Sequence, residues 1–270
     1  MLFLCAIGLT MIFGIMGVIN FAHGSFYMLG AYFAYSSVSI AGNYWVALAV
    51  APLLVGCVGA AVEMATLRFI YLRPHFYQLL LTFGVLILFD SLIQNIWGTG
   101  FKYVAAPDIL SGSVVILSQT YPLYRLFVLF LAFVVAVGLL FALQKTTIGI
   151  SIRAVSQDSE MAAALGINVK VVRTLVFASG CALAGLAGVA VAPMVSASLG
   201  MGVSFLIQSF AVVIIGGLGS VLGSIVGSAI VGASQTWGTF LFPEGAMVVM
   251  YLLMVLILVF KTRGLFGEEE

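Results

Sequence analysis

The chain has 270 residues, 63% of them hydrophobic and only 7% charged, with a formal net charge of +1 and a mean hydropathy of +1.26. An ordinary soluble domain carries about a quarter charged residues, so this composition excludes a fold covered by water. A charge so near zero also excludes the basic face that nucleic acid requires. In lipid, backbone groups must bond within their own segment, which leaves helices or a closed barrel. Long unbroken apolar runs, rather than alternating ones of about 10 residues, select helices.

In chain order the apolar runs are roughly 1–19, 25–41, 45–67, 76–97, 123–143, 172–192, 203–217, 221–241 and 245–260. Most reach the ~20 residues needed to cross the hydrocarbon core. The run 203–217 is short and 25–41 is rich in Gly, Ser and Tyr, so these two read as partial, broken or re-entrant crossings. The first run lacks a basic flank and a cleavage site ahead of a soluble domain, and reads as a span rather than a signal peptide. The expectation is therefore an all-α, polytopic transmembrane fold of about nine segments, with residues 1–270 forming one domain.

If all nine runs cross, Arg68, Arg73, Lys145, Arg153, Lys170, Arg173, Lys261 and Arg263 share one side, and only Lys102 and Arg125 fall on the other. The basic side is the cytoplasmic one. The C-terminus is then cytoplasmic and the N-terminus outside. Trp97, Tyr121, Tyr124 and Trp237 read as aromatic anchors at the outer interface, and 98–122 as an external connection.

The longest polar stretch, 144–173, is cytoplasmic on this reading. Within it, Asp158 to Leu165 reads as a short helix: Asp158 or Ser156 caps its start, three alanines fill it, and Gly166 sits at the C′ position. Met161 and Leu165, four apart, share a face. By itself such a helix either lies on the headgroups or meets a partner.

Chemistry has little raw material here. The only histidines are His23 and His75, and HExxH and GxSxG are absent. Lys145-Thr146 and Lys261-Thr262 lack the preceding glycine of a phosphate-binding loop, so the chain has no P-loop of its own. Cys5, Cys57 and Cys181 stand singly in apolar runs, as small hydrophobes do. No cofactor is expected on this chain, and it does not read as an enzyme.

Two stretches interrupt the apolar pattern alike: Asn20, His23, Gly24 and Ser25, then Gly216, Gly217, Gly219 and Ser220. Gly- and Ser-interrupted segments in corresponding parts of two halves point to a transporter's translocation pathway. The same residues also permit close helix packing. His23 suits either a hydrogen bond to substrate or the cap of a half-helix. Asp90, with Gln94 one turn on, must face protein or be paired. Glu63 and Arg68 read as a snorkelling interfacial pair.

Several ordered blocks together resemble one family. The run GLTMIFGIMGVINFAHG from Gly8 to Gly24, RAVSQDSEMAAALGI from Arg153 to Ile167, the glycines from Gly216 to Gly227, and the closing KTRGLFG from Lys261 to Gly267 resemble the branched-chain amino acid (Liv-type) permeases of ABC importers. The resemblance covers essentially the whole chain. It implies a second permease subunit, identical or related, two cytoplasmic ATPase subunits holding ATP and Mg, and an extracytoplasmic substrate-binding protein. It implies alternating access in the bacterial or archaeal cytoplasmic (inner) membrane.

It also makes 158–167 similar to the coupling segment that carries an EAA-then-glycine pattern. Asp158, Glu160, Met161, Ala162, Leu165 and Gly166 are its candidate contacts, although Met161 replaces the first alanine and the hydrophobic-proline ending is missing. Relatives usually carry a further apolar segment ahead of the point where Met1 falls. Members of the family move branched-chain amino acids, urea, short amides or aromatic acids. The rival class is a passive channel for urea or small amides, which needs no docking helix; a proton-coupled transporter needs more buried carboxylates than Asp90.

Overall fold

Every one of the nine apolar runs is helical, but they are not nine equal crossings. The computed structural model describes residues 1–116, 118–241 and 243–267. Among these, α1 is Leu2–Met16, α2 His23–Ala41, α3 Tyr44–Ala65, α4 His75–Trp97 and α5 Leu123–Lys145. Then come α6 Thr147–Gln157, α7 Ser159–Ala164, α8 Val169–Val191, α9 Met201–Gly216, α10 Val221–Leu241 and α11 Ala246–Phe260.

Four units have the length and apolarity of a span: Tyr44–Phe69, His75–Trp97, Leu123–Lys145 and Val169–Val191. A fifth is counted if α9 and α10, bent by 118° at their break, are taken as one. The helices α1 and α11 have 15 residues each, about 22 Å at 1.5 Å per residue, short of the ~30 Å core. Among the described residues four or five units are thus of spanning length, and the expected nine or so segments, some of them broken or re-entrant, are not confirmed as crossings. The structure is a multi-pass helical membrane fold.

The connection 98–122, expected to be external, is more ordered among its described residues than a bare loop. Antiparallel strands β1 (Ser113–Ile116) and β2 (Gln119–Pro122) pair from Ser113 opposite Pro122. Val114, Val115, Thr120 and Tyr121 are β-formers, and Ser118 supplies the positive φ of 64° at the turn.

Helix α8 is central. Phe177, Cys181, Ala184 and the run Val189–Ala192 are buried, and its glycines receive neighbouring backbones. A Cβ on Gly180 would lie 2.9 Å from the Gly8 carbonyl, and one on Gly30 2.6 Å from the Gly185 Cα. Lipid gives no hydrophobic drive between helices, so close packing of small residues takes its place. Almost all of α5 faces outward, with Leu129, Phe130, Phe133 and Phe141 exposed.

Side-chain ties fix the helix directions. At one end the Tyr124 hydroxyl donates to the Ala190 carbonyl (2.8 Å) and meets the Tyr44 hydroxyl (2.7 Å), while Trp97 donates to Ser36 Oγ at 2.8 Å. Tyr124 is therefore an internal tie and not a lipid-facing anchor, whereas Trp237 is exposed. At the other end Thr174 of α8 meets Glu63 of α3. Arg68, Lys145, Lys170 and Arg173 gather at this second end, where α3 and α5 finish and α8 begins.

Candidate functional site

The break before α2 is largely internal. Gly17 ends α1 with φ 64°, and the chain turns back so that α2 starts inside the protein. Asn20 and His23 have zero exposure, and Ser25 has 2%. Asn20 Oδ1 accepts from the Ala22 amide at 3.1 Å, and His23 Nε2 lies 2.9 Å from the Cys5 carbonyl. Asn20 Nδ2 and His23 Nδ1 have no partner among the described residues. Thr82 of α4 closes the turn, accepting from the Phe21 amide at 3.2 Å and reaching the Ile19 carbonyl at 3.3 Å. Sequence reasoning gave no role to Thr82 or to the Cys5 carbonyl, since both come from other helices.

The second break is a helix end and a helix start in four residues. Gly217 (φ 104°) and Gly219 (φ 86°) adopt backbone that other residues resist. Ser220 Oγ accepts from the Gly223 amide at 3.0 Å, the geometry of an N-cap. The carbonyls freed at the end of α9 are met by the chain's closing segment. The Leu265 amide donates to Ile215 and the Phe266 amide to Gly216, each at 2.9 Å. This answers the general need of a helix end for outside partners. The KTRGLFG ending was the available sequence signal.

The structure does not bring the two breaks into one site. His23 sits against Gly8 of α1, and Gly219 against Gly14. Six residues along a helix separate these levels by about 9 Å.

The polar stretch 144–173 folds as two helices where one was expected. The missed helix, α6, is amphipathic: Ile152 and Val155 turn inward while Ile148, Ile150 and Arg153 are exposed. Asp158 then caps α7, its Oδ1 accepting from the amides of Glu160 and Met161 at 2.9 Å each. At the other end Gly166 takes φ 88°. The Ile167 amide donates to Ala162 and the Gly166 amide to Ala163, each at 3.0 Å. That pair of bonds is the Schellman arrangement.

The expected face divides. Ala162 is 2% exposed, packed with Ile152, Val155, Val172 and Val176, so it anchors the helix instead of offering a contact. Met161 and Leu165 are 58% and 76% exposed, and Glu160 is exposed beside them.

Glu63 is not snorkelling. It has zero exposure and accepts from Arg68 (3.3 Å), Tyr71 (2.8 Å) and Thr174 (2.7 Å). Arg68 also donates to Thr174 at 2.8 Å, and the Arg173 guanidinium lies 4.9 Å from the Tyr71 ring centroid. Burial, then the adjoining Glu63 carboxylate, push the Tyr71 hydroxyl above its ordinary pKa, so it remains a donor. Asp90 is half-buried and Gln94 exposed.

Residues 1–258 match the family described as branched-chain amino acid transport system / permease component. The chain belongs to that family. It is 28% identical to the high-affinity branched-chain amino acid transport system permease protein BraD of Pseudomonas aeruginosa, over 99% of this chain and 92% of that protein. It is 27% identical to the permease protein LivH of Salmonella typhimurium, over 99% and 91%. A probable branched-chain amino acid transport permease protein LivH of Methanocaldococcus jannaschii is 27% identical over 100% and 89%. No solved structure matches.

Within this permease the capped α7 has a sharp dependence on Gly166. A Gly166→Val variant is expected to cost roughly 1–2 kcal/mol locally, because a β-branched residue resists a left-handed backbone. Hydrogen exchange at the amides of position 166 and Ile167 would rise several-fold in the variant over the parent; unchanged protection would refute the cap's role.

Proposed function

We propose that this chain is the membrane-spanning subunit of an ATP-driven importer of branched-chain amino acids, working with a second permease subunit and an extracytoplasmic binding protein. Of two cytoplasmic ATPases holding ATP and Mg, one docks on this chain's α6–α7, and the end carrying Glu63, Arg68, Lys145, Lys170 and Arg173 faces the cytoplasm, as does the C-terminus. The membrane is the cytoplasmic one, as membership of the permease family implies, and the basic residues gathered at one end set the orientation.

The observation that carries the reading is the family match over residues 1–258. The geometry adds support. A six-residue helix is too short to hold in water by itself, yet α7 is capped at both ends and leaves Met161 and Leu165 exposed. An apolar pair on a braced helix suits recognition in a groove. Nucleotide closure then moves α6–α7, and the helices behind it open the pathway to one side or the other. Asn20, His23 and Ser25 at one break and Gly217, Gly219 and Ser220 at the other line or border that pathway.

The expected result in membranes of the native host is that Ala163→Cys, at an exposed position, crosslinks to an ATPase subunit. A Glu160→Lys, Leu165→Glu double variant should lower uptake of radiolabelled leucine at least tenfold while the protein stays in the membrane. Normal uptake, with the cysteine reached only by lipid-phase probes, would overturn the docking reading. Uptake of urea or short amides in place of leucine would overturn the substrate.

A further inference from the structure

The cytoplasmic segment and the α9–α10 break, far apart in sequence, meet through the last turn of α1. On one side Ile15 and Met16 pack against the cluster of Ile152, Val155, Ala162, Val172 and Val176, which joins α6, α7 and α8. Ser156 of α6 donates to the Gly14 carbonyl at 3.0 Å. On the other side a Cβ on Gly14 would lie 2.6 Å from the Gly219 Cα, so the two backbones touch with no side chain between them. One turn earlier the Thr10 hydroxyl meets that of Ser224, three residues into α10. Successive helix positions point about 100° apart, so Gly14 and its neighbours Ile15 and Met16 present different faces.

We propose that the last turn of α1 is the relay by which α6–α7 positions the α9–α10 break, with Ser156 and Gly14 as positioning residues. The proposal rests on the docking reading above. Its physical basis is contiguity. Close-packed elements move as units instead of deforming smoothly, and a Gly–Gly backbone contact leaves no flexible side chain to absorb a displacement. The break is suited to respond, because Gly217 and Gly219 occupy soft backbone regions. Its far side is held by the closing segment, where a Cβ on Gly264 would lie 2.6 Å from the Gly217 Cα. Spatial intermediacy alone is not coupling, so the test reads the break while the ATPase is trapped.

A cysteine at Leu218, which is exposed in the break, is introduced in a Cys57→Ser background; Cys57 is exposed, and Cys5 and Cys181 are buried. In native-host membrane vesicles its labelling rate by a water-soluble maleimide is measured with and without ADP–vanadate trapping. Trapping is expected to change the rate at least threefold. Ser156→Ala should reduce that change to below 1.5-fold, and Ser156→Thr, which keeps the hydroxyl, should restore it. Gly14→Ala should abolish it. Because that variant risks misfolding, the Ser156 pair decides.

The Ala163→Cys crosslink to the ATPase, measured in the same variants, separates the two readings. If it persists and trapping changes Leu218→Cys labelling equally in parent and Ser156→Ala, the relay is wrong and docking stands. If it never forms, docking fails and the relay with it.

Discussion

Replacing Glu63 with Ala is expected to destabilise the permease by about 3 kcal/mol, at the lower end of the range for breaking a buried ion pair. The carboxylate is inaccessible to solvent and takes three donors, so its removal leaves Tyr71, Thr174 and Arg68 facing an apolar gap. The lower end applies because Arg68 is 31% exposed and recovers part of its hydration. A fall of several degrees in the unfolding temperature of the detergent-solubilised protein would register the loss. Glu63→Gln keeps an acceptor and should lose less. Two variants within a degree of the parent would show that the network contributes no stability between α3 and α8.

Gly24→Ala is expected to be comparably damaging for a different reason. A Cβ on Gly24 overlaps the Gly202 carbonyl of α9, and a Cβ on Gly202 would lie 2.5 Å from the Gly24 carbonyl. Neither obstacle is a flexible side chain, so the helices must separate, at about 1–3 kcal/mol for overpacking. The separation would displace His23 and Ser25, so uptake should fall by more than stability alone predicts. Gly84→Ala is the matched control. It has open space around its Cβ position, and removing a glycine from a helix interior is worth roughly 0.5–1 kcal/mol in its favour. Equal behaviour of the two alanine variants would refute the close approach of α2 and α9.

Signals confined to a few residues were legible in the sequence. Composition selected the membrane and the helix, and run length located every apolar helix within a few residues. The Gly166 terminus was read directly and the cap was narrowed to Asp158 or Ser156, because capping is a local hydrogen-bond problem; the structure selects Asp158. The break at Gly217–Ser220 was equally plain, since glycine and serine announce backbone that leaves the helix.

Whatever depended on which side of an apolar helix faces protein had to come from the tertiary structure. In water an apolar stripe marks the core; in lipid the outer face is as apolar as the inner, and that signal disappears. So Tyr124 was read as an anchor and proved an internal tie, Ala162 was read as a contact and proved an anchor, and Glu63 was read as snorkelling and proved buried. The joining of Ser156, Gly14, Gly219 and the 264–266 segment spans 142 positions between its first two members alone. Membership of a permease family and the capped helix α7 follow from the order of residues along the chain; the route from α6–α7 through the last turn of α1 to the α9–α10 break follows only from how small residues let backbones meet.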